Sequence, residues 1–414
     1  LAGGCPARAL AARGGALRRA AAAQLSPPVY VAGTQLPGGV VVSRLGNGSV
    51  HGRHLLTIEL GGQPLRVVAD TGSFGLVVSS HRCPDWNCPV RKFNHAASHT
   101  YEQRAGFKVV KYMSGSVHLQ EARDDMRLFD GPKRQGFWEI AELGYQMKDL
   151  WAQVQFDGIL GLPWLAVVPG EGSANEATVT ETFGVQSFTF CFGRATIRPY
   201  DQGGGVAVTP SFIYWSPPGA LTWQSTVYAE VVSQEHWAVE LGEVSVVHQE
   251  QGGPRAAKFA CYGGLKCLAL VDTGAKVMSV PHEAMFALEN QLGGEVRDDC
   301  SNFGSLPDLT FTVGGVTLTM PPAAYVKRSS WTGHNPEDVT EICTLLIAQN
   351  DVALEVGGEL IPLWILGVPF MQEFVVEFDR SRTPARIGMS PHPGRVGAAG
   401  ECPAVPPTGP AGAA

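Results

Sequence analysis

An all-β fold in two related lobes around a central cleft is what the sequence predicts, and three observations predict it. The chain carries 50 Gly and 29 Pro in 414 residues. That load suits many turns between short strands, because Gly supplies positive φ and Pro withdraws a ladder donor. Strand-like runs recur at close spacing, as in His54-Leu55-Leu56-Thr57-Ile58-Glu59-Leu60, then Gly61-Gly62, then Leu65-Arg66-Val67-Val68-Ala69. Two runs of β-formers around a Gly turn read as a hairpin. Finally, Val68-Ala69-Asp70-Thr71-Gly72 returns as Leu270-Val271-Asp272-Thr273-Gly274, an apolar strand that in each case finishes on Asp and turns on Gly. Each copy has a follower: Ile159-Leu160-Gly161 after Phe156-Asp157-Gly158, and Ile365-Leu366-Gly367 after Leu363-Trp364. A motif pair repeated in the same order is the mark of duplicated lobes.

The order of elements follows from these signals. Residues 1–45 form a leader or pro-segment remnant, 46–200 a first lobe, 201–392 a second lobe, and 393–414 a Pro, Gly and Ala tail that reads as disordered. The first 58 residues lack Asp and Glu, and positions 1–24 mix Ala and Gly with Arg8, Arg13, Arg18 and Arg19. A chain that has lost a secretory signal fits this, and an organelle transit peptide is the competing reading. Helices are few; the best spans Pro281 to Leu292, with Ala284, Met285, Leu288 and Leu292 at helical spacing.

Composition excludes several classes. With 38 acidic and 31 basic side chains the net charge is -7, so no nucleic-acid partner is expected. Hydrophobic residues at 44% and charged ones at 17% allow large cores and rule out disorder for the bulk of the chain. No uninterrupted apolar run reaches the roughly 18 residues of a membrane span.

Nine cysteines are present, and neither close pair has the two-residue gap of a zinc or redox motif, so no metal and no cofactor are expected. Cys83 and Cys88 bracket four residues, and Cys261 and Cys267 bracket five. Such loops suit disulfides in an oxidising compartment, with buried free thiols as the alternative. Cys191 lies in the apolar run Ser187 to Phe192 and reads as a buried free thiol, while Cys5 and Cys402 have no evident partners. Asn47-Gly48-Ser49 is a glycosylation sequon expected on a Gly-flanked loop, which supports secretory routing.

Asp70 and Asp272 carry the candidate chemistry. Two carboxyls at strand ends that meet across a pseudo-twofold axis cannot both ionise, so they hold one proton between them. One can then deprotonate a water while the other protonates the carbonyl of a peptide, without metal or covalent intermediate. Thr71 and Thr273 would anchor the two loops, and Gly72 and Gly274 would let backbone amides approach the acids. The plainer reading, Asp as a turn residue, leaves the duplication unexplained.

With these residues the chain resembles the pepsin-like aspartic proteases over about residues 50–392. Further matching strings are Phe156-Asp157-Gly158-Ile159-Leu160-Gly161-Leu162, Leu306-Pro307-Asp308-Leu309-Thr310-Phe311, and Trp364-Ile365-Leu366-Gly367 through Phe378-Asp379. The resemblance implies a bilobed double β-barrel and a secreted or vacuolar/lysosomal monomeric endopeptidase, made as a zymogen and acting on polypeptides at acidic pH. It implies binding of pepstatin-type inhibitors, and disulfides Cys83 to Cys88, Cys261 to Cys267 and Cys300 to Cys343. It also implies a flap over the cleft bearing Tyr112, with Ser114 and Gly115 beside it. Ser73 keeps the hydroxyl expected after the first Gly, whereas Ala275 replaces the one after the second. Lys276 is either a cation acting on the cleft or a solvated rim residue. Val77 stands where the family commonly has a Trp that tethers the flap Tyr, and Met113 replaces a Gly beside Tyr112. Val368 stands where gastric relatives have an acid, which implies a milder pH optimum. The rival function is a catalytically weak pepsin-like binding or inhibitor protein, fed by Val77, Met113 and Lys276 and opposed by two intact aspartates. Other hydrolase schemes fail, since His282-Glu283 lacks the second His of a metalloprotease helix and no Gly-x-Ser-x-Gly occurs.

Overall fold

A computed structural model describes residues 33–408 apart from 49–52, 86–87, 89–90, 113–114, 145–155, 166–176, 198–205, 251–252, 260–266, 293, 333–338 and 396–399. The expected hairpin forms from Arg53–Leu60 and Gln63–Asp70, with Leu60 opposite Gln63 across the Gly61-Gly62 turn. Its two faces are both covered. Leu56, Ile58, Leu60, Leu65 and Val67 enter the main core, while Leu55 and Val68 enter a second cluster with Leu119, Trp138 and Ile140. A sheet buried on both sides explains why its strands read as near-continuous apolar runs.

The repeated motifs build the same crossing in each half. Gln63–Asp70 lies parallel to Gly158–Gly161, with Asp70 opposite Gly161, and that strand runs antiparallel to Leu76–Ser79. In the second half Cys267–Val271 lies parallel to Glu359–Leu366, which meets Met278–Pro281 at Ile365 and Ser279. The chain thus leaves one strand at Asp, turns on Thr-Gly and returns as another, with the apolar-apolar-Gly strand between the two arms. The repeated glycine is steric: a Cβ at Gly161 would lie 2.5 Å from Gly75 N, and one at Gly367 would lie 2.6 Å from Ala275 O.

One large sheet joins the halves. Ser187–Cys191 pairs with Ser211–Ser216 on one side and Phe374–Asp379 on the other, and Ser211–Ser216 pairs in turn with Val41–Gly48. Phe188 stacks on Phe378 at 5.1 Å, and Trp237 meets Phe378 edge-on at 5.0 Å. Short helices punctuate the strands; the longest among the described residues, His282–Gln291, has Pro281 at its N-cap and turns Leu288 and Leu292 inward as their spacing predicts. Among the described residues no helix is long and apolar enough to cross a membrane.

Four expectations are corrected. Residues 33–45 are not disordered: Val41–Gly48 is a strand of the shared sheet, with Val40 and Val42 buried. Asn47 lies within that strand, opposite His54, and not on a loop; Ser49 is outside the described residues. The tail is ordered over 400–408, where Pro403 O accepts from Tyr214 Oη at 2.7 Å, Pro407 O accepts from Thr222 N at 2.8 Å, and Thr408 bridges Leu221. Cys191 is no free thiol but is bonded to Cys402, which is 4% exposed. An extended strap held by one covalent link needs no apolar periodicity, so composition alone reads it as disorder. Cys83–Cys88 and Cys300–Cys343 are present as expected. Cys267 is disulfide-bonded, and Cys261 lies outside the described residues.

Two histidines make the shared sheet sensitive to acid. His54 Nδ1 lies 2.8 Å from Ser211 Oγ, which itself accepts from Gly193 N at 2.8 Å. His392 is 3% exposed beside the Cys191–Cys402 bond. Burial pushes both imidazoles down to about 4, with the Arg194 charge adding to the effect at His392. Below the ordinary His value of about 6.5 the unfolded chain takes up protons that the folded one refuses, so stability falls from there down to pH about 4. The loss reaches about 3 kcal/mol per histidine. Urea midpoints measured across that window should therefore drop with acid, and His54→Asn, which keeps an acceptor for Ser211, should flatten the drop by its share. An unchanged slope in that variant would remove His54 from the account.

Candidate active site

Asp70 closes the strand Gln63–Asp70, and Asp272 follows directly on Cys267–Val271. Their backbones are pinned by the central strands: Leu162 N donates to Asp70 O at 2.8 Å, and Asp272 N donates to Leu366 O at 3.1 Å. The two loops then interlock. Thr71 N donates to Thr273 Oγ1 and Thr273 N to Thr71 Oγ1, each at 3.0 Å. The hydroxyls pass their own protons on, Thr71 Oγ1 to Val271 O and Thr273 Oγ1 to Ala69 O, each at 2.7 Å. Every bond in this cross joins one lobe to the other, and both threonines are buried.

The glycines that follow are pressed onto the opposite acid. A Cβ at Gly72 would lie 2.7 Å from Asp272 Oδ2, and one at Gly274 would fall 2.6 Å from Asp70 Cγ. Glycine is therefore required on both sides for the carboxyls to meet, and they do meet, with a hydrogen bond between the two side chains. Gly72 N donates to Asp70 Oδ1 at 2.9 Å, and Gly274 N to Asp272 Oδ1 at 2.7 Å.

The symmetry breaks one residue further on. Ser73 Oγ donates to Asp70 Oδ2 at 2.8 Å. Ala275 has no hydroxyl to offer Asp272. Burial raises the Asp272 pKa well above the ordinary aspartate value, the Asp70 charge and hydrogen bond raise it further, and the Gly274 and Ala275 amides oppose the rise. The two acids therefore sit in unequal surroundings, one with a hydroxyl donor and one without. Ala275→Ser supplies one, which favours the Asp272 anion. The alkaline limb of a pH–rate profile should then move down by about one pH unit. An unmoved limb would mean that the new hydroxyl does not reach the carboxylate.

Other site positions are placed unevenly. Glu102–Tyr112 and Gly115–Arg127 form a hairpin with Tyr112 opposite Gly115; Met113 and Ser114 lie outside the described residues. Lys276 is partly buried on the second Asp loop. Val77 sits opposite Trp138 on the neighbouring strand, and the Trp138 ring lies 3.7 Å from the Gly75 Cβ direction with the Lys108 ammonium 4.4 Å from its centroid. Sequence reasoning passed over Trp138, and it passed over Trp237, whose Nε1 donates to Leu162 O at 2.7 Å directly behind Asp70. Next to Trp237, the His236 ring packs on Phe74 at 4.9 Å, joining the second half to the first Asp loop. No local spacing announces such a pair, because each partner is ordinary until the lobes dock.

Comparison with known proteins shows the family. The family model described as eukaryotic aspartyl protease matches residues 54–392, and the chain belongs to that family. Pepsin-2B of Gadus morhua is 27% identical over 342 residues, covering 81% of this chain and 94% of that protein. Pepsin A of Bos taurus is 26% identical over 345 residues, covering 81% of this chain and 83% of its own. Cathepsin D of Chionodraco hamatus is 27% identical over 340 residues, covering 79% and 78% respectively. The chain is thus a pepsin-like, mostly β member of a hydrolase family that acts on polypeptides.

Proposed function

We propose that the protein is an aspartic endopeptidase in which Asp70 and Asp272 activate a water for attack on a peptide carbonyl. The observation that carries this reading is the reciprocal interlock. Two carboxyls are brought together between glycines that leave room for nothing larger, and acids so close cannot both ionise, so the pair would hold one proton. The ionised member of the pair accepts a proton from the water as the protonated one gives its own to the carbonyl oxygen, which yields a tetrahedral diol and reverses the charge pattern of the pair. Return of the protons expels the amine, and no cofactor takes part. The flap hairpin would cover the substrate and exclude bulk solvent, which strengthens each of these contacts.

The working pH is mildly acidic. Val368 puts no extra carboxylate beside the pair, and its N–H is used by Ala275 O at 2.9 Å. The neutral His54 and His392 set a floor, since the fold weakens as pH approaches 4. Three complete disulfides and a bonded Cys267 support maturation in an oxidising compartment, as the secretory pathway provides. The test is digestion of a denatured protein between about pH 3 and 6 with and without pepstatin. Cleavage between apolar or aromatic residues that pepstatin stops is expected. A pure protein that binds pepstatin yet cuts nothing across the range would leave the binding-protein reading in its place.

A further inference from the structure

The disulfide that corrects the sequence reading has a feature that the other two described disulfides lack. His392 Nε2 lies 3.2 Å from Cys191 Sγ and 3.1 Å from Cys402 Sγ. On the far side of the ring, Gly394 N–H donates to Nδ1 at 2.8 Å. A nitrogen that accepts a hydrogen bond carries no proton, so the neutral ring has its proton on Nε2, the atom facing the sulfurs. That tautomer also argues against a metal. The two sulfurs and the imidazole lie within 4.8 Å of one another, but a protonated Nε2 has no lone pair to give, and Nδ1 is occupied.

The ring is held in place by its neighbours. Arg194 is near enough to act on His392, and it is held there by an ion pair with Glu373 and by Gln372 O, which accepts from Nη2 at 2.8 Å. Glu373 also fixes the His392 backbone, whose N–H donates to Glu373 O at 2.9 Å. The His392 ring is neutral through the working range, being pushed down to about 4 by burial and the Arg194 charge against a hydrogen bond with the Phe192 backbone, which shares the ring N–H with the sulfurs. The bond closes a separation of 211 residues and ties down a strap in which Cys402 and Pro406 are the buried residues of 400–408. Val405 on the same strap is 65% exposed. Beneath the strap lie Val40, Val42, Phe212, Tyr214, Leu221 and Val375.

We propose that Cys191–Cys402 is a thiol–disulfide exchange site, opened in the folded protein by a dithiol reductant, with the His392 Nε2–H receiving the thiolate that leaves. The attacking thiolate bonds to Cys402 Sγ as the strap lifts, and the Cys402–Cys191 bond breaks. Its electron pair goes to Cys191, whose thiolate takes the hydrogen bond from Nε2. The second thiol of the reductant then closes on the first, releasing the Cys402 thiolate. Two electrons and two protons pass to the protein, and the reductant becomes a cyclic disulfide. A hydrogen-bond donor at the leaving sulfur lowers its pKa, and a lower leaving-group pKa speeds exchange. Opening frees residues 400–408 and uncovers the apolar patch, so reduction is read out as a conformational change. This holds whether or not the chain cleaves peptides.

The experiment treats the full chain with dithiothreitol under native conditions near pH 7.5, traps free thiols by alkylation at intervals, and maps the labelled peptides. Cys191 and Cys402 should be labelled together, about tenfold faster than Cys300 and Cys343, while the fold persists by circular dichroism. Protease cleavage within 400–408 should rise in step with Cys402 labelling. His392→Leu should slow the exchange about tenfold, and His392→Gln, which places an amide N–H toward the sulfurs, should recover much of it. Equal rates in the wild type and His392→Leu would overturn the role of His392. Labelling of Cys191 only together with Cys343, as the whole chain unfolds, would overturn the site itself, and that comparison needs no variant.

Discussion

Replacing either acid, by Asp70→Asn or Asp272→Asn, is expected to lower kcat by at least about 10⁴-fold and to leave the fold standing. Asn is isosteric with Asp, and an amide can neither accept the proton of a water nor hand one to a carbonyl. The side chains would still fit against Gly274 and Gly72, where the crowding is set by shape and not by charge. Removing the mutual repulsion of a buried pair should even raise thermal stability slightly, because the proton uptake that Asp272 now requires is abolished. The measurement is kcat on a peptide substrate with the melting temperature taken alongside. In the wild type, a bell-shaped profile should report two apparent pKa values that belong to the pair and to neither acid alone. Activity within tenfold of wild type in either Asn variant would defeat the proposed chemistry.

The largest stability effect is expected at the threonine cross. Val fills the space of Thr without its hydroxyl. Thr71→Val leaves Val271 O and Thr273 N unpaired, and Thr273→Val does the same to Ala69 O and Thr71 N. These groups are buried, and each orphan costs about 1–3 kcal/mol, so each variant should lose about 2–4 kcal/mol. The two changes orphan different atoms, which makes their costs close to additive in the double variant. Because the same loops carry the acids, kcat should fall together with stability, and Thr71→Ser should restore both. Chemical denaturation of all four proteins settles it; a loss under about 0.5 kcal/mol for either single Val variant would show that the cross is not holding the lobes.

Much of this site was legible because its determinants are local and doubled. Asp70-Thr71-Gly72 and Asp272-Thr273-Gly274 declare themselves by repetition, and the later Ile-Leu-Gly strings mark the strands that thread each loop. The hairpin at Gly61-Gly62 and the helix from His282 follow from periodicity over a few residues. What escaped depends on distant docking. Cys402 sits in a Pro, Gly and Ala context with no strand signal, and its partner Cys191 is part of an apolar strand where a thiol reads as filler. Trp237 and Trp138 are ordinary core tryptophans until their neighbours across the sheets are known. Asn47 was misplaced for a related reason: a Gly on either side reads as a loop, but strand pairing with His54 overrides that local preference.

The threonine cross has a consequence for how such a protein changes over generations. Each loop supplies what the other needs, so a single half-length unit could satisfy every one of these bonds by pairing with a copy of itself across a twofold axis. In such a pair any substitution occurs twice, and the two acids must remain alike. Joining the copies in one chain removes that constraint. Ser73 can stay beside one acid while Ala275 stands beside the other, and the two acids gain unlike surroundings without either loop losing its grip. The difference between the two acids is something that only a fused pair can inherit.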